Sequence, residues 1–560
     1  MNEDYHPADQ TSPVPQTSPV PQTPPVPQTP PILPNVTTAP PVQTNYAWQP
    51  SPPVPKPPFE ADRRECMLVL IAIFLGALLR EFLFLPSQAG FSVVLLVTAV
   101  YGIVFWYGKG NEHFVPLTGW PCGVVTLLLV CCIGLFSNRT LWALNLFGVY
   151  FFLSLHVAAM FGHGGKGFFR DLWRSAFCAP FSSADAIFHT MGTSKKIETG
   201  TAWRKILLGI VISVPIAAIV MVLLVSADEA FEVAVNAVLG SIGQTVWRVI
   251  GDILVGFLLG IFIFSAFYTA RRKHYPKEQR SQEDRKLPFD STVTSTVIFV
   301  CSTIYVCFLL IQFNYLFSAV WGSMPTDTVY SAYARRGFFE LTVVAAINLI
   351  LLLFAICSKN NRGGTVKASV TALSVLTLAL IGSAFSKMVM YINAYGLTPL
   401  RVYTSWFMLL LACVFLILLA ARFCKKLHAG RALIAVTVVL FLALNFAVPD
   451  ALIARVNTER HQNNPAQQAD IALFEQLGDE SVPSLITLAQ SGEVNTARSA
   501  RYLLHVRYEE ICKLDWRSMN VSTLRAKALL EANKDLFSKV NSPASSYTGS
   551  RGYFSSDRYE

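Results

Sequence analysis

The sequence predicts an all-α fold: a polytopic transmembrane helical bundle of about 11 helices, with a small helical C-terminal module and a disordered proline-rich N-terminal tail. Three observations predict it. Long apolar stretches follow one another from Cys66 to Pro449, each close to the length that crosses a hydrocarbon core as a helix. Basic residues collect in every second connecting loop, the pattern that orients membrane helices. Charged residues make up only 14% of the chain and hydrophobic residues 53%, too few charges to clothe a water-facing surface over most of its length.

Residues 1–65 form the tail. A six-residue unit recurs as Thr11-Ser-Pro-Val-Pro-Gln, Thr17-Ser-Pro-Val-Pro-Gln, Thr23-Pro-Pro-Val-Pro-Gln and Thr29-Pro-Pro-Ile-Leu-Pro. Proline at this density supplies neither ladder hydrogen bonds nor a core, so the tail reads as an extended polyproline arm. It serves as a spacer, or as a docking strip in which residues 11–34 offer PxxP spacing to a cytoplasmic proline-binding partner. The first apolar stretch begins too late for a cleavable signal peptide.

The expected spans are 66–85, 91–107, 116–136, 140–161, 205–226, 249–270, 292–315, 337–357, 368–393, 402–423 and 432–449, which place the membrane domain at 66–450. Arg63 and Arg64 precede the first span. Basic residues recur at Lys166, Arg170, Arg174, Lys195, Lys196 and Arg204, then between Arg271 and Lys286, at Lys359, Arg362 and Lys367, and at Lys425, Lys426 and Arg431. One assignment puts all of these on the same side, giving a cytoplasmic N-terminus and an extracytoplasmic C-terminus. In the loop 162–204, Phe168, Phe169, Leu172, Trp173 and Phe177 alternate with Arg170 and Arg174 at helical spacing, which suits a helix lying in the inner interface. After span five, Phe231, Val235 and Val238 suggest a second surface-lying segment on the opposite side.

Residues 451–540 read as a separate extracytoplasmic helical domain. Apolar residues recur at three- and four-residue intervals over 470–477, 482–489, 495–514 and 521–540. Ser481 with Pro483, and Asn520 with Ser522, are suited to helix starts. A disordered end follows over 541–560.

The net charge of +10 lies in the membrane region, because the tail 1–65 is acidic and the segment 451–560 is balanced. Nucleic-acid binding is therefore not indicated, and the expected partner is the lipid bilayer. The 11 cysteines show no Cys-x-x-Cys spacing, and neither a disulfide framework nor a metal site is expected. No catalytic motif is present: Gly162-His-Gly-Gly-Lys-Gly follows a membrane helix rather than a strand and lacks the Ser or Thr that would bind magnesium. No cofactor is implied.

Several segments resemble a family of bacterial membrane proteins called domain of unknown function 4173, with its relative 4153. They are Ser226-Ala-Asp-Glu-Ala-Phe231, Tyr333-Ala-Arg-Arg-Gly-Phe-Phe-Glu-Leu341, Gly396-Leu-Thr-Pro-Leu-Arg-Val-Tyr403, Ile453-Ala-Arg-Val-Asn457 and Leu477-Gly-Asp-Glu-Ser-Val-Pro483. The resemblance runs over roughly residues 66 to 540. It implies a location in the bacterial cell membrane and brings no activity with it.

Ionisable groups within spans are costly and point to function. Under the assigned topology Asp228, Asp252, Arg335, Arg336, Glu340, Lys387 and Arg401 gather in the outer third of the bilayer. Arg336 and Glu340 share a helix face, and Ser383, Lys387 and Tyr391 form a polar stripe, so Glu340 and Lys387 suit an interhelical ion pair. The plainer reading is that these groups lock helices together or snorkel. The sharper one is an outward-open polar cup for an extracytoplasmic ligand or protein. Gly256 and Gly260, in step with Asp252, mark a close-packing seam. A non-enzymatic receptor, scaffold or regulator is the expected class, a transporter of an ion, lipid or small solute the alternative, and a membrane enzyme built on Asp228, Asp252 and Glu340 the third.

Overall fold

The computed structural model describes residues 62–84, 89–163, 167–187, 190, 220, 229–272, 291–320, 338–357, 364–424, 426–463 and 469–538. The tail, the expected span 205–226 apart from Val220, and the end after 538 lie outside the described residues. Every regular element among the described residues is a helix.

Helix α1, Arg63–Leu79, is prolonged by a π turn, Arg80–Phe84. Then come α2 (Phe91–Gly108), α3 (Trp120–Leu135) and α4 (Arg139–Met160). A composite segment, α5, is α-helical over Phe168–Leu172, π-helical over Trp173–Cys178 and α-helical again over Ala179–Ser182. Next are α6 (Glu229–Arg272), α7 (Ser291–Val320), α8 (Phe338–Cys357), α9 (Gly364–Tyr395), α10 (Pro399–Phe423) and α11 (Ala429–Phe446). The C-terminal module holds α12 (Pro449–Asn463), α13 (Ile471–Glu475), α14 (Val482–Ala489), α15 (Val494–Lys513) and α16 (Val521–Ala532). Among the described residues, seven helices are long and apolar enough to cross a membrane: α1, α2, α4, the part of α6 from Gly251, α9, α10 and α11. Large side chains such as Phe74, Leu127, Phe147 and Phe299 stand exposed on the helix faces, as lipid contact requires.

Local chemistry fixes several helix ends. Asn138 caps α4 by accepting from the Leu141 N–H at 2.8 Å, and Thr398 does the same for α10 ahead of Pro399. Beyond the end of α11 stands Val448, whose φ of 47° is an unusual conformation for a β-branched residue and turns the chain sharply into Pro449.

Helices α1 and α6 pack antiparallel along a seam without side chains. A Cβ on Gly260 would stand 2.8 Å from Ile73 Cα, and one on Gly256 would stand 3.0 Å from Ala77 Cα. Both ends of the pair are closed by charge. Glu65, fully buried, accepts from Arg272 Nε at 2.7 Å and Nη2 at 3.0 Å, while Arg80 pairs with Asp252 at the other end.

A second group, α7 to α10, shares a core of Ile298, Leu352, Leu373, Leu380 and Phe415. Through it runs a short polar column: Tyr305 Oη donates to Asn348 Oδ1 at 2.8 Å, and Asn348 Nδ2 donates to Thr377 Oγ1 at 3.0 Å. Helix α11 packs with α2, α3 and α4, where Asn145 Nδ2 donates to Asn445 Oδ1 at 2.7 Å. The module has its own core, including Ile453, Phe474, Leu485, Leu504 and Leu530.

Two segments differ from the sequence expectation. Helix α6 is continuous from Glu229, so the stretch expected as a surface-lying loop with Phe231, Val235 and Val238 is the first part of one helix about 66 Å long. Segment α5 does not lie at the helix ends. Its Ala176 carbonyl accepts from Tyr150 Oη at 2.5 Å, and Phe181 packs on Phe262 at 4.9 Å between centroids, both partners standing midway along α4 and the apolar part of α6. Small residues make this docking possible: Ser183 N donates to Ser265 Oγ at 3.0 Å, and Ser265 Oγ donates to the Ala179 carbonyl at 2.9 Å.

Candidate functional site at the module junction

The densest polar constellation lies where the module meets the ends of the long helices. It is built on the short connection between α3 and α4. Ser137 N donates to Glu480 Oε1 and Ser137 Oγ to Glu480 Oε2, each at 2.6 Å, while Ser137 Oγ accepts from Asp479 N at 2.8 Å. Asn138 spends its whole amide: Nδ2 donates to Tyr403 Oη and to Asp450 Oδ1, each at 2.7 Å, while Oδ1 caps α4. Asp450 Oδ2 accepts from Gly478 N at 2.7 Å. Four elements, α4, α10, α12 and the 3₁₀ turn Asp479–Ser481, are thereby joined.

Gly478 is required by space rather than by backbone conformation. A Cβ there would meet Glu480 Oε2 and Ser137 Oγ at 2.6 Å and Asp450 Oδ2 at 3.0 Å. Behind it, Arg507 pairs with Asp479 at 3.3 Å and donates to the carbonyls of Phe474 and Leu477, ending α13. Thr523 Oγ1 donates to Asp479 Oδ2 at 2.6 Å and ties in α16. Asp450 is only 3% exposed. Burial pushes its carboxyl up to about 6, against the pull of the Gly478 N–H and with a further push from Glu480.

Two more contacts complete the junction. The connection into α2 is held by the module: Gly90 N donates to the Arg517 carbonyl at 2.8 Å and Phe91 N to the Met519 carbonyl at 2.9 Å. Arg517 also pairs with Glu81, next to Arg80 in the π turn. The end of α9 is plugged by α12, since Arg460 donates to the Asn393 and Ala394 carbonyls at 2.7 and 3.0 Å and Asn457 Nδ2 to the Leu397 carbonyl at 2.7 Å.

Of the residues singled out from sequence, Asp228, Arg335 and Arg336 lie outside the described residues, and Glu340 opens α8 with its side chain outside them. The proposed Glu340–Lys387 pair lies there too. Asp252 sits on the α1–α6 pair, bonded to Arg80. Lys387 is buried on α9, one turn before Tyr391. Arg401 lies over the Tyr391 ring, 4.1 Å from its centroid, and donates to the Gly396 carbonyl at 2.6 Å. Arg401 and Lys387 thus belong to the α7–α10 group, and Asp252 to the other. Sequence reasoning missed Ser137, Asn138, Asp450 and Arg507. The signal available was the trio of segments Gly396–Tyr403, Ile453–Asn457 and Leu477–Pro483, which converge here. Among the described residues no three His, Cys, Asp or Glu side chains gather as metal ligands.

Helices of this length and apolarity, with large apolar side chains exposed on their faces, mark an integral membrane protein. The chain belongs to the family described as Domain of unknown function (DUF4153), whose model matches residues 123–488 and so takes in the junction from Ser137 to Glu480. No curated protein and no solved structure matches it.

Proposed function

We propose that this is a multi-pass protein of the bacterial cell membrane, close to the domain of unknown function 4173 within the wider family, that acts as a non-enzymatic receptor, scaffold or regulator. The module faces the exterior and the proline-rich arm faces the cytoplasm, where residues 11–34 dock a proline-binding partner. The observation that carries this reading is the buried junction of Ser137, Asn138, Tyr403, Asp450 and Glu480. It fixes the module to the bundle as one body, so an extracytoplasmic ligand or protein held by the module acts directly on helix ends. Of the described groups of the outer cluster, Asp252 and Arg401 are engaged in the same kind of locking.

A transporter of an ion, lipid or small solute is the second reading, favoured by the Tyr305–Asn348–Thr377 column with Lys387 on the same helix. Reconstituted vesicles separate the two. The purified chain should give no flux of protons, sodium or potassium and no lipid scrambling above empty vesicles, while hydrogen exchange protects 136–141 and 477–482 together. Flux that Asn348→Leu or Lys387→Ala abolishes would replace the receptor reading with the transporter.

A further inference from the structure

Segment α5 begins and ends at one level of the molecule. Before it, His163 Nε2 lies 2.6 Å from the Ala270 carbonyl, two residues from the end of α6. After it, Cys66 Sγ reaches the Thr190 carbonyl at 4.0 Å, at the start of α1. Glu65 and Arg272 tie these two helix ends to each other. Entry and exit are therefore on the same side, the side on which α1 starts and α6 finishes.

Between them the chain goes deep. Phe262 stands ten residues before Arg272, about 15 Å along the helix axis at 1.5 Å per residue. Tyr150 stands ten residues before Met160, the last residue of α4, again about 15 Å. Half of a hydrocarbon core is about 15 Å. Two contacts on two different membrane-length helices thus put Ala176 and Phe181 near the middle of the bilayer.

The two faces of α5 are chemically opposite. Ser175, Ala176, Ala179 and Ser183 are buried, the last two hydrogen-bonded to Ser265 on α6. Phe169, Trp173, Phe177 and Phe181, four residues apart, are exposed, Trp173 to 62%, even where Phe177 touches Phe151 of α4 and Phe181 touches Phe262 of α6. The π-helical turn Trp173–Cys178 keeps this i, i+4 stripe in line while the small face stays on α6.

We propose that the segment 167–187 is re-entrant, entering the membrane from the basic side, reaching its middle and returning, and that the stripe Phe169, Trp173, Phe177, Phe181 binds the acyl chains of that leaflet. The inference rests on the reading that α4 and α6 cross the bilayer. Acyl chains are the occupant that the depth selects: water is excluded there, and backbone at that depth is tolerated because the other face of α5 is covered by protein.

The test uses the full chain in vesicles of phosphatidylethanolamine and phosphatidylglycerol. Three photoactivatable diazirine probes are compared: one at the acyl-chain terminus of a phospholipid, one on its headgroup, and one in a water-soluble reagent, with labelled peptides mapped by mass spectrometry. The expected result is labelling of 168–182 by the chain-terminus probe at an intensity within about twofold of the central peptides of α4 and α6, with Phe177→Asp lowering it several-fold. Labelling mainly by the headgroup or aqueous probe overturns the inference, as does a lack of labelling by all three while the α4 and α6 centres are labelled. If the α4 and α6 centres are themselves missed by the chain-terminus probe, the membrane-crossing reading falls instead.

Discussion

At Asp450 the competition between burial and hydrogen bonding has a measurable consequence. The ordinary value for this carboxyl is 3.8, and burial at the junction raises it to about 6. The folded junction therefore holds a proton across that interval which the unfolded chain has released. The contribution of this group is complete below about pH 4 and is lost as pH rises through about 6, amounting to about 3 kcal/mol. In detergent, unfolding of the module followed by pulse proteolysis should show Asp450→Asn levelling this slope relative to the native chain between pH 4 and pH 7. The variant is also weaker at low pH, because an amide hydrogen would then face the Asn138 amide or the Gly478 N–H, both donors. Parallel pH profiles for the two proteins would mean that Asp450 titrates normally and that the junction is wetter than its 3% exposure implies.

The α1–α6 pair depends on the absence of side chains where the two backbones meet. Replacing Gly260 with Val brings a Cβ within 2.8 Å of Ile73 Cα, closer than carbon atoms pack, and the helices must separate at a cost of about 1–3 kcal/mol. The separation also lengthens the Glu65–Arg272 and Arg80–Asp252 contacts that close the pair. Gly102, with open space around its missing Cβ, is the control: Gly102→Ala should raise helix stability by about 0.5–1 kcal/mol. Thermal unfolding in detergent should move down for Gly260→Val and stay level or move up for Gly102→Ala; equal effects would show that the seam is not close-packed. Half of this element was legible in the sequence, because Asp252, Gly256 and Gly260 repeat every four residues on one helix. The partner was not, since α1 contributes a lone Gly76 and its Arg80 reads simply as the end of a span. Depth was equally hidden in α5: aromatic and basic residues at helical spacing look alike on a surface helix and on one sunk to the level of Phe262.

The long helices were legible as a set because an apolar run of membrane length has few other uses: ten of the expected stretches coincide with described helices to within a few residues, apart from the longer start of α6, and seven of these helices are long and apolar enough to cross a membrane. The junction was not legible, because its bonds connect residues as far apart as Ser137 and Glu480, 343 positions away, and no local pattern marks either as a partner. The contacts nonetheless bear on topology. The α1–α2, α3–α4 and α9–α10 connections all meet the module, whereas the basic loops are at the other ends of these helices. Under the proposed topology, in which the basic loops stay in the cytoplasm, the module lies outside. Two exposed cysteines report on it: Cys512 near the end of α15 and Cys424 after the last turn of α10, beside Lys426. A membrane-impermeant maleimide added to intact cells should label Cys512, with the label lost in Cys512→Ser, and should reach Cys424 only after permeabilisation. The reverse order would invert the whole assignment, carrying the module and the proposed ligand-facing surface into the cytoplasm. It would also place the entrance of the α5 segment on the outer side, because the α1 start and the module occupy opposite ends of the same helix.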